Sequence, residues 1–72
     1  MSLKETKINF IVDIATDLFM CRSVNEVTIR DIAISAQVGE ATIYRYFKKK
    51  ENIVVACVLK LQNDINQKYF KL

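Results

Sequence analysis

A chain of 72 residues with 51% apolar side chains can build one small core, which argues against disorder and leaves little room for a ligand cavity. One glycine and no proline favour helices over tight hairpins. The net charge of +3 is unevenly spread, because residues 28–50 hold five basic and two acidic side chains, which favours nucleic acid or an anionic membrane surface as partner.

Residue types that support catalysis or metal binding are scarce. The chain has no histidine, and its two cysteines, Cys21 and Cys57, stand alone within apolar patterns. We interpret both as free core thiols in a reducing compartment rather than as a disulfide. No zinc ligand set, nucleophile elbow or phosphate loop occurs, and neither a signal peptide nor a membrane span is indicated. We therefore expect a cytoplasmic protein that is not an enzyme and needs no cofactor.

The first predicted helix covers residue 2 to about residue 22. Ser2 and Glu5 have the spacing of a capping box. A face of apolar residues at helical spacing predicts burial: Ile8, Ile11, Val12, Ala15, Leu18 and Phe19, widened by Phe10, Ile14 and Cys21. The charged residues of this helix are interpreted as solvated: Lys7, Asp13, Asp17 and Arg22.

Two short helices are predicted next, separated by a tight turn. Thr28 and Asp31 form a second capping box, which begins a helix that ends near residue 36. Residues 37–39 make the turn, and the third helix covers about residue 40 to residue 47. Ile43 and Phe47 are expected to face the core, with one edge of Tyr46.

A fourth helix is predicted from about residue 50 towards the C-terminus. Its expected buried stripe consists of Val54, Val58, Leu61, Ile65, Tyr69 and Leu72, with Ile53 and Cys57 beside it. The predicted fold is all-α, a small helical bundle with a homeodomain-like three-helix core and a long fourth helix. Residues 1–50 form the helix-turn-helix core, and residues 51–72 form the fourth helix.

The stretch TIRDIAISAQVGEATIYRYFKKKENI, together with IVDIATDLF in the first helix, carries a specific resemblance. It resembles the N-terminal DNA-binding domain of the tetracycline-repressor (TetR) family of bacterial transcription regulators, over about residues 8–65. Two positions depart from the family pattern. Gln37 stands where the family has glycine, and Ser23-Val24 replaces Gly-Tyr/Phe. A left-handed Gln37 would cost about 1 kcal/mol.

The resemblance implies a set of DNA contacts. Side chains expected on the phosphate backbone are Thr28, Tyr44, Tyr46 and Lys50. Those expected at base edges are Arg30, Glu40, Ala41, Thr42 and Arg45. Gly39 and Lys48 complete the expected interface. Lys50 also opposes the dipole of its own helix, which suits either a bound phosphate or a merely solvated lysine run.

The resemblance further implies a homodimer on a palindromic operator. Repression would end when a small-molecule effector binds a C-terminal regulatory domain outside residues 1–72. The alternative function is a helical protein-interaction module that uses the apolar face of the fourth helix. A membrane-surface helix is disfavoured, because the basic residues do not collect along one long amphipathic helix.

Overall fold

The computed structural model describes the backbone of residues 2–69 and the side chains of residues 2–63. This part of the chain folds into helices α1 (Leu3–Cys21), α2 (Ile29–Ala36), α3 (Glu40–Phe47) and α4 (Lys50–Tyr69). Helix α1 packs on α2 and α4, and α3 packs on the same two helices. The predicted all-α bundle is confirmed, and α2, its turn and α3 form the helix-turn-helix.

One isoleucine from each helix meets in the core. Ile11, Ile32, Ile43 and Ile53 are all fully buried, so each helix is anchored by one branched apolar side chain. Val27, in the connection before α2, is also fully buried, and the sequence did not suggest this. It precedes the N-cap and lies five residues before Ile32, which is the spacing of a hydrophobic staple.

The prediction of which face of α4 is buried is wrong. Ile53 and Cys57 are buried, whereas Val58 is 52% and Leu61 is 39% exposed. Helix α4 turns residues 53 and 57 towards the bundle because α1 and α3 pack against that face, and this leaves the neighbouring face outward. Val54 is half-buried at the border. The rest of the predicted stripe lies outside the described side chains: Ile65, Tyr69 and Leu72.

Two residues assigned to the buried face of α1 are exposed. Cys21 is the last residue of α1 and reaches solvent, and Phe10 is 50% exposed. Cys57 is buried as predicted, and its thiol donates to the Val12 carbonyl oxygen over 3.7 Å. Burial raises the pKa of the Cys57 thiol. The buried Thr16 hydroxyl donates to the same carbonyl oxygen at 2.7 Å, so it is satisfied within the core.

The turn between α2 and α3 has the left-handed residue that the family pattern predicts. Gln37 has φ 60° and ψ 41°, and the Val38 N–H donates to the Ala33 carbonyl oxygen at 3.0 Å. This hydrogen bond caps the C-terminus of α2. Gln37 carries a side chain at the left-handed position, where glycine would be unstrained.

Replacing Gln37 with glycine is therefore expected to raise the free energy of unfolding by about 0.5–1 kcal/mol, since relief of the strain outweighs the added chain entropy. Urea unfolding measures the effect. Ser35→Gly is the matched control, because Ser35 is an exposed residue inside α2 and glycine there should destabilise. Destabilisation by Gln37→Gly would contradict the assignment of strain to this turn.

Among the described residues, no helix is long and apolar enough to cross a bilayer.

Candidate nucleic-acid interface

Helix α3 separates a buried face from an outward one. Ile43 and Phe47, one helical turn apart, hold the inner face against the core. The outer residues Ala41, Tyr44 and Arg45 are exposed. The same is true of Glu40, whereas Thr42 and Tyr46 are half-buried at the edges of that face. An anchored helix therefore presents a cation, a carboxylate, hydroxyl groups and a methyl group to solvent.

The N-terminus of α2 is fixed by a closed capping box. The Thr28 Oγ1 accepts from the Asp31 N–H at 3.0 Å, and the Thr28 N–H donates to Asp31 Oδ2 at 3.0 Å. The Thr28 hydroxyl also carries one proton, which it can donate to the Asp31 carboxylate or to an external acceptor such as a phosphate oxygen. Arg30 follows two residues later and is exposed. Two predicted contact residues thus lie at the start of α2, one at its N-cap and one in its first turn.

Arg22 was interpreted as a solvated charge, but it pairs with this capping box. Its Nη2 lies 3.2 Å from Asp31 Oδ2 and so joins the end of α1 to the start of α2. The backbone hydrogen bond from Thr28 holds the pKa of Asp31 below its ordinary value, and Arg22 lowers that pKa further. The ion pair also offsets the negative charge of Asp31 at the start of α2.

The lowered pKa of Asp31 predicts how the stability of the domain depends on pH. The folded pKa lies below the unfolded value, so the stabilisation is complete above pH 3.8 and disappears as pH falls through the lowered pKa. Asp31→Asn should unfold more easily than wild type at neutral pH, and the difference should narrow below pH 3.8. Urea titrations at neutral pH and below pH 3.8 measure the difference in stability between the variant and wild type. Asp17→Asn, at an exposed position on α1, is the control, and a pH-independent deficit for Asp31→Asn would contradict the explanation.

The junction between α3 and α4 is short and strained. Lys48 has φ 73° and ψ −40°, outside the usual range for a residue with a side chain, and its N–H donates to the Tyr44 carbonyl oxygen at 2.9 Å. The Asn52 side chain donates from Nδ2 to the Phe47 carbonyl oxygen at 2.6 Å. These bonds satisfy the end of α3 and hold α4 at its start, beside Lys48 and Lys50.

The sequence did not single out Asn52, although a short amide in the first turn of α4 is a signal that could have been used. Asn52→Ala is expected to lower the free energy of unfolding by about 0.5–1.5 kcal/mol, because it removes a hydrogen bond that spans the junction. Asn63→Ala, at an exposed position further along α4, is the matched control in thermal unfolding. Equal stabilities for the two variants would show that the Phe47 bond contributes little.

The predicted contact residues fall in three places: the start of α2, the outer face of α3 with its preceding turn, and the junction to α4. None of them is buried: Thr28, Arg30, Gly39, Glu40, Ala41, Thr42, Tyr44, Arg45, Tyr46, Lys48 and Lys50. Such a set can donate many hydrogen bonds to an anion. Within the described residues, no group of side chains suited to a metal ion occurs.

Comparison with known families agrees with this arrangement. The model of a family described as bacterial regulatory proteins, tetR family, matches residues 11–57, which is more than half of the chain. The matched segment runs from α1 into α4 and contains every predicted contact residue. Comparisons with curated proteins and with solved structures gave no match.

Proposed function

The chain belongs to the TetR family of bacterial regulatory proteins, whose members are DNA-binding transcription regulators, and from this membership we propose that it binds double-stranded DNA by placing α3 in the major groove. One observation carries the proposal. The family match coincides with a helix-turn-helix in which Ile43 and Phe47 anchor α3 and leave Arg45 facing outward. A recognition helix needs this combination of a fixed axis and an exposed polar face.

The proposed contacts divide by chemistry. Thr28, Tyr44, Tyr46 and Lys50 donate to phosphate oxygens, which positions the protein on the duplex without reading its sequence. The residues proposed at base edges are Arg30, Glu40, Ala41, Thr42 and Arg45. Arginine pairs best with guanine, glutamate accepts from cytosine, and the methyl groups of alanine and threonine pack on a thymine methyl. Lys48 and the Gly39 backbone supply further contacts at the two ends of α3.

The proposal extends to how the protein regulates transcription. Two copies bind a palindromic operator as a homodimer, so each α3 reads one half-site. The complex represses transcription and is released when a small molecule binds a regulatory domain that follows α4. On this proposal residues 1–50 are the DNA-binding core, and residues 51–72 are the helix that leads to that domain. Joining two half-site readers makes the second contact effectively intramolecular and strengthens binding.

Fluorescence anisotropy with a labelled duplex of mixed sequence tests the proposal. The association constant should fall steeply with salt, by a slope of about 0.9 in log–log form for each phosphate contacted. The control ligand is a labelled polyglutamate with the same number of negative charges as the duplex, because it has negative charge without grooves or phosphates. Absence of DNA binding, together with salt-independent binding to a protein, would overturn the proposal in favour of an interaction module built on α4.

A further inference from the structure

A groove runs between the N-terminal half of α1 and α3 with its preceding turn. Lys7 and Phe10 of α1 form one wall, and Gly39, Thr42 and Tyr46 form the other. Val38 also lines the second wall, and its other residues are already proposed to contact DNA. The groove is therefore continuous with the proposed interface, although Lys7 lies in the part of the sequence without a basic excess.

The chemistry of this groove suits a phosphate. Lys7 is exposed and brings an ammonium group with three donors, and Thr42 and Tyr46 each bring a hydroxyl group. None of the side chains that line the groove is acidic, so no negative charge in its walls repels an anion, and its apolar lining of Phe10, Ile11 and Val38 leaves Lys7 as the one cation there. A duplex seated on α3 already carries phosphates past Tyr46, and the backbone of that same duplex is the occupant that Lys7 and Tyr46 fit as donors.

We propose that Lys7 binds a phosphate of the DNA backbone across this groove, so that the interface extends from the helix-turn-helix onto α1. This inference rests on the proposed function. It assigns Lys7 a positioning contact rather than base recognition, because an ammonium group on a flexible stem neutralises a phosphate as a point charge.

Lys60 provides a matched control for the loss of one positive charge. It pairs with Asp13 of α1. Asp13 lines a second groove, between α1 and α4. The 100° step per residue places Asp13 about 120° around α1 from Lys7. The experiment compares wild type, Lys7→Ala, Lys7→Gln, Lys7→Arg and Lys60→Ala on a labelled duplex of mixed sequence. Salt is varied from about 50 to about 200 mM, and circular dichroism verifies the fold of each variant.

The log–log salt slope of Lys7→Ala and Lys7→Gln should be shallower than that of wild type by about 0.9, so their deficit in affinity narrows by about threefold over that range. Lys7→Arg and Lys60→Ala should keep the wild-type slope. A wild-type slope in Lys7→Ala, or an equal change in Lys60→Ala, overturns this inference and leaves the proposed function standing. Salt-independent or absent DNA binding by wild type overturns the proposed function and this inference with it.

Discussion

Ile43→Ala should lower the free energy of unfolding by about 2–5 kcal/mol, because it removes a fully buried side chain and leaves a cavity where α3 meets the core. A chain of 72 residues has a total stability of about 4–11 kcal/mol. The substitution therefore removes a large part of that stability. It also detaches the helix proposed to read DNA, so binding should weaken even though Ile43 touches no base.

Ile34→Ala is the matched control for this prediction. Ile34 lies on α2 and is 65% exposed, so the same truncation should change the stability by less than about 0.5 kcal/mol. Urea unfolding followed by circular dichroism measures both variants. If the two substitutions cost the same, Ile43 does not fasten α3 to the bundle.

Arg45→Ala should change which DNA sequences are preferred, as well as how tightly DNA is bound. A bidentate arginine contact to guanine contributes about 1–3 kcal/mol of discrimination against the wrong base. Arg45 is exposed on the outer face of α3, with its backbone held between the buried Ile43 and Phe47. Loss of its side chain should abolish the preference at one base pair of each half-site.

Lys50→Ala and Tyr44→Phe are the comparison for this effect. Both remove proposed phosphate contacts, so they should weaken all sequences by similar factors and leave the order of preference intact. The measurement is anisotropy on a bound sequence and its single-base variants. Equal loss of preference in all three variants would contradict the division between phosphate and base contacts.

Local signals predicted the short elements well. The capping box at Thr28 and Asp31 marked the start of α2, and the family pattern of glycine at the turn located the left-handed Gln37. Helix α3 begins and ends at the predicted residues, because Gly39 precedes it and Ile43 and Phe47 define one inner face. Each of these features depends on a few neighbouring residues, so the sequence contains the information.

The errors concern the direction of long helices and contacts between elements. Helix α4 has apolar residues on more than one face, and only its packing against α1 and α3 decides that Cys57 is buried while Val58 is exposed. Cys21 was placed in the core by periodicity that ignores where the partner helix ends. The pairing of Arg22 with Asp31 and the bond from Asn52 to Phe47 join separate elements, and spacing along the chain does not reveal them.

Selection of bound sequences from random duplex DNA shows whether the outer face of α3 reads base edges, as we claim. Wild type and Arg45→Ala are selected in parallel under the same salt. Wild type should enrich one motif, arranged as an inverted repeat when a dimer binds, and Arg45→Ala should lose the preference at one position of each half of that motif. Recovery of an unenriched pool by wild type, or of the same complete motif by Arg45→Ala, would contradict the claim.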